Sequence, residues 1–390
     1  MVRKADVFRQ KAGIDVRTGH RAERIDIGEQ CVSGSTLDGE AFTLPFDRLL
    51  IATGADPIVP ERPGFDLPGV VVVKTLDDAR AIKERIASHP VKKALILGMG
   101  YIAMEMAEAL RLRGVQVAMA KPRPRLLPWL AEDLVKRVRQ ELETNQVKIH
   151  TGFSIDRIES RGDGLVAWEP SGEAIEADLV VVAIGVASNS ELAESAGLKL
   201  GPSESIAVDR QMLTSDSRIY AAGDCADAFH VVTGERVWIP LALRANRSGW
   251  AVADHLCGRP VSLQGVAGTS VFKVFDLEVA RTGLSKEEAA SAGFDPATVT
   301  IQASSRAHSM PGASPIQVHM VGDRRSGRLL GAQMVGKEGA AHRINAPAVA
   351  LHTGMTVDQF SETDLAYAPP FGPTWDPLLV GANQLIKAMK

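Results

Sequence analysis

The sequence predicts an α/β chain, with a doubly wound parallel-sheet unit flanked by further strand-bearing segments and followed by a C-terminal α+β domain. Three observations carry this expectation. From about Lys92 to Gly185 the pattern runs strand, helix, strand, helix, strand, the signature of a compact doubly wound unit. A separate apolar strand, Asp47 to Gly54, precedes that unit, and a further block, Asn189 to Gly258, follows it. From Thr269 onward an alternating strand series gives way to helices at Ala341–Gly354 and Gln384–Lys390.

The elements follow in order. A short helix over Ala5–Lys11 leads into a meander of strands at Ile14–Arg17, Ala22–Ile27, Gln30–Ser35 and Ala41–Leu44, each broken by turn residues. The strand Asp47-Arg48-Leu49-Leu50-Ile51-Ala52-Thr53-Gly54 ends in a glycine turn, and a connector with Pro57, Pro60, Pro63 and Pro68 marks a domain boundary. Thr75-Leu76-Asp77-Asp78 then caps a helix running through Ser88. The resulting division is 1–62, 63–188, 189–264 and 265–390.

Bulk properties narrow the function. The chain has 390 residues, 45% of them hydrophobic, enough for two or three domains. Lys plus Arg number 44 against 47 for Asp plus Glu, so no long-range field draws in nucleic acid or an anionic membrane. No apolar run reaches the roughly 20 residues that cross a bilayer, and Met1–Ala12 contains Asp6 and no apolar signal core, so a cytoplasmic location is expected. Cys31, Cys225 and Cys257 lie far apart with no CxxC pair, which predicts neither a disulfide framework nor a metal site.

The most informative segment is Ala94-Leu95-Ile96-Leu97-Gly98-Met99-Gly100-Tyr101-Ile102-Ala103, a buried strand entering a Gly-x-Gly-x-x-Ala turn and a helix to Arg113. Gly98 permits the tight turn, Gly100 lets backbone approach a pyrophosphate, and small Ala103 lets helix and strand pack closely, with the phosphates at the helix N-terminus. Gly114 ends the helix and Val115–Ala120 is the next strand, the context that a Rossmann-like NAD(P)-binding unit requires. The plainer alternative is that these small residues serve helix–sheet packing alone. After the second strand a carboxylate would accept the ribose hydroxyls of NAD; this chain has Lys121, then Arg123 and Arg125. Two readings stay open there, a preference for NADPH and a solvated basic turn.

Two further segments, Ile51-Ala52-Thr53-Gly54-Ala55 and Thr214 to Asp224, flank this unit in the order seen in the pyridine nucleotide-disulfide oxidoreductases, which the chain resembles over nearly its whole length. The resemblance implies two Rossmann-like domains, one for FAD and one for NAD(P)H, the first of them incomplete and built from the segments 1–62 and 189–264, with FAD and NAD(P)H as cofactors. It implies that Asp224 accepts a hydrogen bond from the flavin's ribityl chain, that Gly223 lets backbone close on the cofactor, and that Ala52, Thr53 and Gly54 belong to the same site. The helix opening at Ile239-Pro240-Leu241-Ala242 would aim its N-terminus at the flavin pyrimidine, placing Leu241 and Ala242 there. Tyr101 would lie over the flavin and swing aside for nicotinamide, with Ile184-Gly185 lining the same channel.

The segments Val335–Gly339, Gly354–Val357 and Ala366-Tyr367-Ala368-Pro369-Pro370-Phe371 resemble the dimerisation domain of the coenzyme A-disulfide reductase, NADH oxidase and polysulfide reductase branch. That implies a homodimer in which Tyr367 serves a sulfur leaving group as proton donor or orienter, with plain packing of Tyr367 the alternative. The implied reaction carries hydride from NAD(P)H to FAD and electrons on to a small-molecule disulfide, persulfide or oxygen.

Departures from the pattern temper this expectation. The family begins with another Gly-x-Gly-x-x-Gly turn for the ADP half of FAD and a helix bearing a reactive cysteine, whereas Met1 aligns well inside that domain. His308-Ser309-Met310 stands where the coenzyme A branch carries tyrosines, and Val186-Ala187-Ser188-Asn189 lacks an Arg-Pro before Asn. Cys225 beside Asp224 has no visible His or cysteine partner to activate it. The sequence therefore leaves open an oxidoreductase, a shortened non-catalytic dinucleotide-binding and dimerisation subunit, and an enzyme whose true start lies upstream.

Overall fold

In the computed structural model, residues 4–390 are described, and they divide into two compact units. The first unit takes the described residues up to Ala55 together with Ser188–Phe229 and Arg236–Leu263; the second takes Asp56–Ala187, His230–Glu235 and Gln264–Lys390.

In the first unit, the helix Ala5–Ala12 stops at Gly13, which takes the left-handed conformation that suits glycine at a helix end. A three-stranded antiparallel sheet follows, from His20–Asp26, Cys31–Thr36 and Ala41–Pro45. The strand expected at Ile14–Arg17 does not form. The Val16 carbonyl accepts from the Arg9 guanidinium, with Nε at 3.1 Å, instead of from a neighbouring strand. Leu49–Ile51 pairs in parallel with Ile219–Ala221, and Ile51, Ile206, Ile219, Ala221, Cys225 and Val252 are buried together around that pair.

The second unit holds a five-stranded parallel sheet in the order Val70–Val72, Leu179–Val182, Lys93–Leu97, Gln116–Lys121, Val147–Thr151. The continuous apolar runs of its central strands are what burial on both faces demands. The helix Leu76–Ser88 carries the expected capping box between Thr75 and Asp78. The helices Tyr101–Arg111 and Glu132–Thr144 bury Met104, Leu110, Leu134 and Leu142 in the core. A small antiparallel sheet, Arg157–Arg161, Gly164–Trp168 and Ala174–Ala177, is inserted before the last parallel strand. Plain strand–helix alternation had no place for it, although Gly162-Asp163 between two alternating runs is a hairpin signal.

The tail forms a second, antiparallel five-stranded sheet in the order Ser270–Val274, Leu277–Gly283, Leu329–Gly336, Pro315–Asp323, Pro296–Ser304. Phe272, Val274, Val279 and Val335 of this sheet share one core with Ala103, Met104 and Leu134 of the parallel-sheet layer. The helix expected over Ala341–Gly354 is two, Ala340–Arg343 and Asn345–Thr353. The last helix begins at Pro377 instead of Gln384, because the Asp376 carboxylate caps it through Leu378 N at 2.9 Å and proline is at ease in a first turn. Among the described residues no helix is long and apolar enough to cross a membrane.

Candidate functional site

The turn after Leu97 has two glycines with different tasks. Gly98 sits at φ 105°, and a Cβ there would lie 2.2 Å from the Ala183 carbonyl oxygen, so only glycine lets the two adjacent strands end side by side. Gly100 has an extended backbone open to any residue, and a Cβ on it would meet nothing within 4 Å. It is the exposed N-cap of the helix Tyr101–Arg111, which no side chain caps. Open space before a helix end whose first-turn amides lack a side-chain acceptor fits the paired phosphates of a dinucleotide. Ala103 is fully buried under that turn, and Ile102 is exposed beside it.

Lys121 ends the next strand. Its Nζ donates to the carbonyls of Arg125 at 2.8 Å and Leu126 at 3.2 Å, and burial, helped by the nearby Arg123 charge, lowers its pKa. Arg123 and Arg125 are exposed on the same loop, with Arg125 Nη2 at 3.3 Å from the Leu130 carbonyl. Gly185, at φ 137°, is exposed at the end of the neighbouring strand and accepts from Ile58 N at 3.0 Å.

The Tyr101 ring lies 5.1 Å from Phe272 and 6.1 Å from Trp129, and its hydroxyl accepts from Ser270 Oγ at 3.3 Å. It is thus held against the C-terminal sheet. Trp129 in turn stacks under the Arg281 guanidinium, 5.0 Å from its centroid. Gln333 of the same sheet donates to the Trp129 carbonyl and accepts from Ala131 N, both at 2.7 Å. The sequence reading assigned no role to Phe272, Trp129 or Gln333.

In the first unit, Ala52 and Thr53 are exposed at the end of their strand. The turn is fastened by Asn189: its Nδ2 donates to the Thr53 carbonyl at 3.0 Å, its N to the Gly54 carbonyl at 3.0 Å, and Thr53 Oγ1 donates to its carbonyl at 2.5 Å. Gly223, at φ 85°, again leaves open space where a Cβ would stand. Asp224 beside it is half-buried. The turn they form is braced from the helix Ala242–Leu256, whose N-cap is Leu241. Ser248 Oγ accepts from Gly223 N at 3.0 Å, and Trp238 Nε1 donates to the Asp224 carbonyl at 2.8 Å. Buried Arg244 donates to the carbonyls of both Gly223 and Asp227, and burial holds its pKa below the usual arginine value. An open glycine next to a carboxylate, in a turn braced by Ser248 and Arg244 of one helix, suits one end of a second nucleotide. Arg244 and Ser248 are functional candidates that local sequence patterns did not reveal, since their partners lie 21 and 25 residues back.

Tyr367 is exposed on a loop held by Arg343, which donates to the carbonyls of Phe371 and Ser305 at 3.0 Å and pairs with Asp376 at 2.8 Å. Ala307 N donates to the Pro369 carbonyl at 3.2 Å, which places His308 on a loop tied to that of Tyr367. Cys225 is fully buried, its Sγ 3.2 Å from the Ala222 carbonyl. Among the described residues no cluster of His, Cys, Asp and Glu could hold a metal ion.

A parallel-sheet layer with an open glycine turn, a second glycine-aspartate turn in the other unit, and an antiparallel C-terminal sheet together define a nucleotide-dependent oxidoreductase class. Residues 2–249 match the pyridine nucleotide-disulphide oxidoreductase family and residues 269–377 match its dimerisation domain. The chain belongs to the pyridine nucleotide-disulphide oxidoreductase family. It is 38% identical over 380 residues to the NAD(P)H sulfur oxidoreductase (CoA-dependent) of Pyrococcus furiosus, covering 97% of this chain and 85% of that one. It is 32% identical over 386 residues to an NADH oxidase of Methanocaldococcus jannaschii, covering 98% and 85%. Among solved structures, the NAD-dependent persulfide reductase from A. fulgidus superposes with a TM-score of 0.94 at 36% identity, over 99% of this chain and 72% of that one. These similarities put the chain in the branch that the Ala-Tyr-Ala-Pro-Pro segment pointed to.

Proposed function

We propose that the chain is a FAD- and NAD(P)H-dependent reductase of a small disulfide, a persulfide or oxygen, acting in the cytoplasm as a homodimer. When bound, the nicotinamide supplies hydride and the flavin relays the electron pair to the acceptor. The observation that carries the reading is the open, uncapped helix start at Gly100, backed by the family match over residues 2–249.

Each residue then has a defined task. Gly100 and the amides of Tyr101 to Ala103 hold a pyrophosphate, while Gly98 fixes the turn that presents them. Arg123 and Arg125 supply positive charge where a ribose phosphate would sit, which favours NADPH, while Lys121, turned onto the carbonyls of Arg125 and Leu126, closes the loop that carries them. Gly185 lines the nicotinamide side. Ala52, Thr53 and Gly54, with Gly223, Asp224, Leu241 and Ala242, form the flavin side, where Asp224 accepts from a ribityl hydroxyl. Tyr367 holds a proton at its hydroxyl for a departing sulfur. Residues 63–188 form the NAD(P) domain, 1–62 with 189–264 the FAD domain, and 265–390 the dimerisation domain.

Purified chain should show a flavin absorption band that bleaches anaerobically with NADPH and returns on adding coenzyme A disulfide, polysulfide or oxygen. A chain that neither holds added FAD nor oxidises either nicotinamide would refute this function.

A further inference from the structure

We infer that Gln333, a residue of the C-terminal sheet, is a positioning residue that sets the nucleotide preference by fixing the loop 121–131. The inference rests on the reading that a nicotinamide nucleotide binds at Gly100 with its ribose phosphate near Arg123 and Arg125.

The strand Leu329–Gly336 is buried at every position, and Gln333 has the only side chain in it with polar N–H or C=O groups. A buried primary amide is costly unless its groups are hydrogen-bonded. Both hydrogen bonds found for this amide leave its own sheet: Nε2 donates to the Trp129 carbonyl and Oε1 accepts from Ala131 N, at sequence separations of 204 and 202. Ala131 is the N-cap of the helix Glu132–Thr144 and offers no side-chain cap of its own, so Gln333 stands where a capping residue would.

The loop between Lys121 and Ala131 is therefore fixed at both ends. At its start Lys121 is turned inward onto the carbonyls of Arg125 and Leu126, so its ammonium closes the loop instead of pointing outward. In its middle Leu126, Leu127 and Leu130 are buried. The exposed cations that this leaves are Arg123 and Arg125. Their placement depends on the far anchor at Gln333. That same anchor holds Trp129, whose ring meets Tyr101, the residue that follows Gly100. One amide thus orients both the cationic loop and the aromatic side chain at the glycine turn.

Two variants grade the effect. Gln333→Met keeps the side-chain length and the apolar packing but removes both hydrogen bonds. Gln333→Glu keeps an acceptor for Ala131 N and turns a carboxylate oxygen toward the Trp129 carbonyl. Calorimetric affinities for NADPH and NADH should show wild type favouring NADPH. The ratio of the two should fall about tenfold in Gln333→Met and by less in Gln333→Glu, the range typical of coupling between sites. In the same assay Arg123→Ala should lower the ratio in the wild-type background and add little in Gln333→Met. A purely structural role would lower the melting temperature and leave the ratio alone; an unchanged ratio in both Gln333 variants, or full additivity with Arg123→Ala, overturns the inference. A wild type that binds both nucleotides equally overturns the NADPH reading as well, whereas a preference for NADPH that survives both variants overturns this inference alone.

Discussion

The two glycine turns solve the same problem by opposite means. At Gly98–Ala103 the backbone does everything: a left-handed glycine ends the strand, an open glycine starts the helix, and no side chain intrudes. At Gly223-Asp224 the turn is shaped by side chains brought from elsewhere: Ser248 on the Gly223 amide, Trp238 on the Asp224 carbonyl and Arg244 on the carbonyls of Gly223 and Asp227. A backbone-built site fails through added atoms, whereas a side-chain-built site fails through lost ones.

The sharpest way to break this contrast is Gly98→Ala. The added methyl would overlap the Ala183 carbonyl at 2.2 Å in a left-handed backbone, and we expect a loss of about 4 kcal/mol in denaturant unfolding. A loss below about 1 kcal/mol would mean the strand ends can part freely. Next, Arg244→Met leaves two carbonyls without their donor and should cost about 2–4 kcal/mol, with flavin retention falling alongside. Retained flavin at wild-type stability would show that the brace is dispensable.

Acid separates the units. His230 and His319 of the second unit are buried, and burial pushes each down from 6.5 to about 4. Between those values the unfolded chain takes up protons that the folded chain refuses. Stability should therefore fall as pH drops from 6.5 toward 4, by about 2–3 kcal/mol per histidine. In the first unit burial raises the pKa of Asp227, so its folded form gains a proton earlier than the unfolded chain and works in the opposite sense. Amide exchange at pH 4.5 against pH 7.5 should show the second unit losing protection first; equal loss would remove the distinction.

The smallest stability effect belongs to Gly100→Val. Its Cβ meets no neighbour and its backbone is extended, so the melting temperature should stay within about 2 °C of wild type. NADPH affinity should nevertheless fall by about tenfold or more, because the side chain fills the approach to the helix start. Unchanged affinity would remove this turn from the site.

What the sequence made legible was local. The strand entering Gly98, the helix that follows, and the Thr75–Asp78 capping box are all decided by residues within a few positions of one another. What it hid was set across long separations. Asn189 fastens the Thr53 turn from 136 residues away, and Gln333 reaches Trp129 from 204. Periodicity carries no trace of such partners. Tyr101 shows the same limit: its place after Gly100 suggested a gate over a flavin, while Phe272 and Ser270, which hold it, are far along the chain. The final helix was placed late for another reason. Pro377 reads as a breaker until Asp376 is seen capping it.

Glu108, on the helix that starts at Gly100, takes Lys273 Nζ at 2.7 Å and Phe275 N at 2.9 Å, and Glu141 takes Asp276 N at 3.2 Å. This seam joins the parallel-sheet layer to the hairpin that opens the C-terminal sheet. Grafting the layer from a relative into this protein would remove those carboxylates and leave Lys273 and the Phe275 and Asp276 amides facing foreign side chains. Hybrid proteins should tolerate exchange of the whole stretch through the C-terminal sheet better than a swap that ends at the seam.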